Sequence, residues 1–352
     1  MEKLAANDKP RTNLRHSLEM AQELQRRKIP YIISIWGVPT WMHANPVKDR
    51  ERKHGVIISR EMWDELAESI GSYLLYAREK YGVEPGMFSF NEPDYGVTVK
   101  LTPEEHRDLV IHLGRHFQKL GLKTRFLAAD VAHARGTAKF AEPVLKDERS
   151  AGLVDAIGFH TWGGASPAQY REWREIAIRS GKPLMVTEAG VDAQAWRFPA
   201  TFGTYWYGFA EARQYMELLQ HAWPQAILLW EYTDDYGILK IDRSTNPPTV
   251  TPTKRYFFMR HFAAFTPRNG KVLQSRSSDN EVLIAAVRGK DGRLVLHILN
   301  DGPARRATLK GAEDLRFSGY VTDPGRDMDK LEEISGEIEL PATSMITLVT
   351  KH

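Results

Sequence analysis

Two glutamates in this chain, Glu92 and Glu188, close apolar runs at places that suit chemistry better than packing. The first ends the stretch Phe88-Ser89-Phe90-Asn91-Glu92-Pro93-Asp94-Tyr95, in which a few β-favouring positions run into a polar pair and are stopped by proline. Proline cannot continue a ladder and disfavours helix in the residue before it, so Glu92 is expected at the rim where strand becomes loop. The second ends Pro183-Leu184-Met185-Val186-Thr187-Glu188-Ala189-Gly190, another apolar run closed by a glutamate and small residues. Two such carboxyl groups at one site can divide labour. One holds a proton and the other stays ionised, which is what breaking a bond to a poor oxygen leaving group requires. A pair of structural rim carboxylates, or two metal ligands, is the plainer alternative.

Bringing the two together is a task for a particular architecture. They stand 96 positions apart, room for three strand–helix units, and in a (β/α)8 barrel the C-terminal ends of all strands face one mouth. The chain reads accordingly. Leu14, Leu18, Ala21 and Leu24 recur at helical spacing within 11–28, and Pro30 ends that helix before the β-branched strand 31–36. A helix over 61–81 stops at Gly82, and Thr102-Pro103-Glu104-Glu105 opens another with a capping-box pattern. Strands over 124–130, 154–160, 183–188 and 226–232 alternate with helices over 137–146, 167–180 and 208–221. From about Thr266 the pattern becomes short alternating runs between glycine, asparagine and aspartate turns, with Lys290-Asp291-Gly292 as a hairpin turn. The expected architecture is therefore α/β: a TIM-type barrel domain over 1–265, then an antiparallel β-sandwich over 266–352.

Asn91-Glu92-Pro93 followed by Glu188 resembles the two-glutamate signature of the clan A glycoside hydrolases, and Phe90-Asn91-Glu92-Pro93-Asp94-Tyr95 is most similar to family 30, which includes β-xylanases and glucosylceramidases. Trp36-Gly37-Val38-Pro39-Thr40-Trp41-Met42 resembles the run that ends that family's third barrel strand. The resemblance implies a retaining β-glycosidase working by double displacement, with Glu92 as general acid/base and Glu188 as nucleophile. It implies carboxyls roughly 5 to 5.5 Å apart and a covalent glycosyl-enzyme intermediate. Asn91 would meet the sugar 2-hydroxyl. A carbohydrate-binding protein that has lost turnover is the competing reading.

Other candidates sit at strand ends. His160, Thr161 and Trp162 close one strand. A lone histidine there is more often a hydrogen-bonded structural residue than a catalyst; the resemblance, in which a histidine followed shortly by an aromatic contacts the substrate or orients the nucleophile, brings the two readings level. Trp162 stands where the family commonly has a tyrosine, which puts the family's phenol-to-nucleophile hydrogen bond in doubt. Asp130 ends a strand and faces the mouth if the register is right. Trp230 and Tyr232 close the last barrel strand, and Trp36, Trp41 and Trp230 are candidate sugar platforms with core packing as the alternative.

Composition excludes several other functions. The 48 basic and 45 acidic residues nearly balance, so no footprint for nucleic acid stands out, and no window approaches a membrane span. There are no cysteines, hence neither disulfides nor thiolate metal sites. No phosphate loop or metal-ligand spacing points to a cofactor; His106, His112 and His116 read as a helix surface. The residues 1–15 are charged and carry no secretory signal pattern, so localisation stays open. Only six barrel strands are recognisable. The first, 31–36, matches the family's third, and strands one and two have no counterpart in 1–10. Eight-stranded closure ties strand number to tilt and shear, so open edges with exposed apolar surface are expected beside the first and last strands. The expectation is an upstream segment carrying two more strands, with self-association of a shortened barrel through those edges as the alternative.

Overall fold

The structure is a computed structural model that describes residues 1–49, 55–96, 99–232 and 234–351. Six strands, β1 (Ile32–Ile35), β2 (Met87–Phe90), β3 (Arg125–Val131), β4 (Val154–His160), β5 (Leu184–Ala189) and β6 (Ala226–Leu229), form one sheet in sequence order. It is a curled, parallel half-barrel, an incomplete (β/α)8 barrel whose edges are β1 and β6. The chain forms two compact units, one of Met1–His160 with Glu175–Thr187, the other of Thr161–Arg174 with Glu188–His352. β5 thus contributes Leu184–Thr187 to the first and Glu188 and Ala189 to the second.

In the first unit, parallel pairing sets Ile35 against Phe90, and the Asn91 amide donates to the Ile35 carbonyl (3.0 Å). The β2 side chains from Phe88 onward are buried, as a parallel strand covered on both faces must be. The helix Pro103–Lys119 starts in the anticipated capping box: Thr102 Oγ1 accepts from the Glu105 amide (3.1 Å) while Glu105 Oε2 accepts from the Thr102 amide (2.9 Å). Gly82 ends the helix Trp63–Tyr81 in the left-handed conformation that costs glycine least. The helix expected over 137–146 is instead broken into Ala138–Ala141, Glu142–Lys146 and Glu148–Ala151. Pro143 brings no N–H to the middle of that run, and the Asp147 side chain caps the last piece.

The edge left at β1 has the anticipated apolar character. Its residues are only half-buried, and a cavity of about 780 Å3 lies along it, lined by Leu18, Leu24, Ile33, Ile35, Tyr73 and Leu74 among others. What holds the N-terminal helix Asn13–Arg26 beside this edge is a polar clasp. Asp8 accepts from Arg15 Nε (2.5 Å), the Tyr76 hydroxyl (2.6 Å) and the Tyr81 hydroxyl (2.7 Å), and Leu18 and Ala21 pack with Tyr76, Ala77 and Val83. The Arg15 hydrogen bond, joined by those of the two tyrosines, holds the Asp8 carboxyl down at about 2, from an ordinary 3.8. A depressed carboxyl contributes stability that is fully present above its unfolded value and disappears as pH falls through the folded one. Asp8→Asn should therefore lower the melting temperature at pH 7, and the gap to wild type should close between about pH 4 and 2, read by circular dichroism. A gap unchanged down to pH 2 would remove the clasp from the account.

In the second unit, a sheet ordered β14-β13-β16-β11-β10-β9 comprises β9 (Lys271–Leu273), β10 (Val282–Arg288), β11 (Leu294–Asn300), β13 (Phe317–Asp323), β14 (Arg326–Lys330) and β16 (Ser344–Thr350). With the pair β12 (Arg305–Thr308) and β15 (Glu337–Leu340) it encloses a core of Leu296, Ile298, Phe317, Val321, Ile338, Leu340, Ile346 and Leu348. This is the β-sandwich. Gly292 makes the expected hairpin turn at a φ of 83°. Two elements ahead of it carry no usable sequence signal. The hairpin of β7 (Leu239–Asp242) and β8 (Thr249–Pro252) has strands of only four residues, the second wholly exposed, so the alternation of Leu239 and Ile241 with Lys240 and Asp242 is too short to mark a strand, and the helix Lys254–Phe265 spreads aromatics around its circumference.

Candidate active site

The first unit holds a buried chain of polar groups at the C-terminal ends of β2, β3 and β4. Glu92 lies just beyond β2, Asp130 near the end of β3, and His160 closes β4. All three are buried. His160 Nδ1 lies 2.9 Å from Glu92 Oε1, and Nε2 lies 3.2 Å from Asp130 Oδ1. Asp130 also accepts from the Ser89 hydroxyl (2.7 Å) and the Thr187 hydroxyl. Burial pushes the Asp130 carboxyl up, but His160 and the two hydroxyls outweigh it and the net shift is downward. Asp130 therefore stays ionised and can only accept, which puts a hydrogen on His160 Nε2 and turns Nδ1 toward Glu92. Both ring nitrogens face side-chain carboxyl groups. Binding a metal through this imidazole would cost one of those bonds.

The backbone that presents these groups is unusual. Glu92, Ala129 and Asp130 have φ of 46°, 69° and 53°, the left-handed region where non-glycine residues pay steric strain. The β3–β4 register slips between Ala129 and Val131, a bulge at Asp130 that re-aims its side chain. Two hydrogen bonds hold the strained segment: the Glu92 amide donates to the Asp130 carbonyl (2.9 Å), and the Ala129 amide donates to His106 Nε2 (3.1 Å). His106 is buried, contrary to the expectation that it lies on a helix surface. Burial lowers its pKa to about 4, keeping the ring neutral and Nε2 free to accept. Its place one turn ahead of Leu109 and Val110, on the buried face of the helix, was the available signal.

Asn91 is buried, and its Nδ2 has no hydrogen-bond partner among the described residues. A buried amide nitrogen without a partner is costly unless something polar comes to meet it. Trp36 and Trp41 are 43% and 58% exposed, so neither is a core tryptophan.

The second unit carries Glu188, Trp162, Trp230 and Tyr232. Trp162 Nε1 donates to Glu188 Oε2 (3.0 Å), so an indole N–H supplies the donor whose loss the missing phenol put in doubt. The Thr161 amide donates to the Glu188 carbonyl (3.0 Å), and Thr161 is itself held by Gly190 and by Gln214. Gly190 is there for space: a Cβ at that position would meet the Trp162 ring at 2.3 Å. Trp230 is half-buried against Phe202, Tyr207 and Tyr236, while Tyr232 is 59% exposed. Behind them Arg255 is fully buried in a two-pronged pair with Glu211 (2.7 Å each) and donates to the carbonyls of Trp230 (3.3 Å) and Tyr236. Nothing in the local sequence marks Arg255 or Glu211 as partners, because the helices bearing them place them 44 residues apart.

Solved structures share this architecture. A GH30 endoxylanase from Clostridium papyrosolvens C71 superposes with a TM-score of 0.75 at 20% identity, covering 96% of this chain and 83% of its own. SrfJ from Salmonella typhimurium gives 0.71 at 19%, covering 96% of this chain and 73% of its own. A GH39 β-xylosidase from Caulobacter crescentus gives 0.60 at 16%, covering 95% and 82%. The fold is the one these GH30 and GH39 structures share. No protein-family model matches the chain, and no curated protein matches it. At such identities the likeness speaks for the fold of this GH30- and GH39-like group and not for one family within it.

Proposed function

We propose that the chain is a retaining β-glycosidase of the family 30 type, in which Glu92 is the general acid/base and Glu188 the nucleophile. The observation that carries this reading is that each glutamate lies at the C-terminal end of a parallel strand of one sheet and meets a ring nitrogen there, the buried His160 for Glu92 and the half-buried Trp162 for Glu188. Glu92 has an imidazole with which it can trade a proton, as a group that must act as acid in one step and base in the next requires. Glu188 has an indole N–H, which can only donate, and a donor favours the ionised form that a nucleophile needs. The Asn91 amide nitrogen would donate its missing bond to the sugar 2-hydroxyl oxygen, and Trp36, Trp41, Trp230 and Tyr232 would offer aromatic faces to sugar rings. The solved structures of similar fold include xylanases, a β-xylosidase and an endo-β1,6-glucanase, which supports a β-linked glycan as substrate.

Binding without turnover is the second reading, favoured by the open edge at β1. Hydrolysis of a panel of aryl β-glycosides, including the xyloside and glucoside, decides between them when run beside saccharide binding. Release of the aryl group with retention of anomeric configuration, followed by NMR, is the expected result. Saturable oligosaccharide binding with no release from any aryl glycoside would select the second reading.

A further inference from the structure

The second unit contains a pocket that the glycosidase reading does not use. A cavity of about 490 Å3 opens where the end of the helix Tyr205–His221 meets the segment joining β9 to β10, within the size range of small-molecule sites. Its base is apolar, with Leu219, Leu273 and Val282, and its rim is polar and cationic. Arg174 and Arg276 both line it, and neither has an acidic partner among the described residues. The one acid in the lining, Asp279, already accepts from Arg305, whose guanidinium also pairs with Glu281.

Two features make this more than a charged surface. The Arg174 guanidinium lies over the Trp223 ring, 4.3 Å from its centroid. A guanidinium held over an indole face is ordered before a ligand arrives and still has N–H groups to give to an oxyanion. Trp223 itself sits at a φ of 54° just past the helix end, with its amide donating to the Leu218 carbonyl (3.0 Å). Glycine would occupy that left-handed position without strain, so the indole is kept there against a steric cost. His221 adds a second polar wall, where burial, reinforced by Arg171 and Arg174, lowers its pKa and keeps the ring neutral for hydrogen bonding to a hydroxyl.

We infer that this pocket binds a sugar bearing an oxyanion, a uronic acid or a sugar phosphate, with Arg174 and Arg276 gripping the anion and His221 and the rim amides taking ring hydroxyls. The inference goes beyond the glycosidase reading and stands or falls independently of it. Calorimetric titration of the full chain with D-glucuronate, glucose 6-phosphate, D-glucose and inorganic phosphate tests it. Saturable binding of glucuronate or glucose 6-phosphate is expected, weaker at high salt, with the stronger of the two naming the source of the anion. Arg276→Gln and Arg174→Gln should each weaken it by about ten-fold or more, while Glu188→Gln leaves it unchanged and both arginine variants keep wild-type aryl-glycoside hydrolysis. Glucose binding as tightly as its charged forms, inorganic phosphate binding as tightly as the sugars, no saturation by any of them, or loss of binding on Glu188→Gln would each overturn it.

Discussion

Glu188→Gln is expected to lower kcat on aryl β-glycosides by on the order of 10^4-fold or more, with the fold intact. An amide keeps the shape of the carboxylate but cannot form the covalent bond to the anomeric carbon that splits one hard displacement into two easier ones. Losses of that order are what removal of a nucleophile produces in enzymes whose residues act as a unit. The same assignment predicts that an activated 2-fluoro glycoside labels the wild-type chain on the peptide containing Thr187-Glu188-Ala189, because fluorine destabilises the electron-deficient transition state and slows breakdown of the intermediate. Mass spectrometry reads this directly. Trp162→Phe, which keeps the ring and removes the N–H 3.0 Å from Glu188 Oε2, should cost far less, about ten-fold. Labelling at another residue, together with activity retained in Glu188→Gln, would sink the assignment.

Those expectations rest on features of unequal visibility in the sequence. The strands were readable because parallel strands buried on both faces write continuous apolar runs, and Val154–His160 and Pro167–Ser180 lie where periodicity and turn residues put them. The hairpin Leu239–Pro252 was not readable, since the four-residue alternation of Leu239–Asp242 is too short to mark a strand and Thr249–Pro252 is wholly exposed, and the helix Lys254–Phe265 mixes aromatics and basic residues around its circumference without a clear apolar stripe. At the site, residue types at strand ends were legible, but who bonds whom was not. The pairing of His160 with Glu92 and Asp130, the grip of His106 on the Ala129 amide, and the bulge at Asp130 all depend on register and backbone strain. Sequence spacing does not encode those. Trp162 shows the limit most clearly: the loss of a tyrosine hydroxyl reads as the loss of a donor, yet the indole N–H reaches the same carboxylate because Gly190 leaves room for the larger ring.

Glu92→Ala should leave a different signature, one that depends on the leaving group. A group that only protonates the departing oxygen matters little when that oxygen leaves easily, so substrates with strongly activated aryl groups should lose little in the glycosylation step. Alkyl or unsubstituted aryl glycosides should lose about 10^2 to 10^4-fold. The second half-reaction still needs a base to activate water, so the intermediate should accumulate, giving a low kcat and a falling KM on activated substrates. Azide needs no base, and adding it should restore the rate and yield a glycosyl azide of retained configuration. The His160 contact sharpens the test. Asp130 stays ionised and holds His160 through Nε2, so if Glu92 gives and takes a proton, His160 Nδ1 at 2.9 Å is the group placed to exchange it. His160→Asn should therefore shift the pH profile of kcat/KM on poor leaving groups while barely affecting activated ones, a split that a purely structural histidine would not produce. Equal losses on both substrate types in Glu92→Ala, with no azide rescue, would remove Glu92 from the acid/base role and leave the Glu92–His160–Asp130 chain as a structural network.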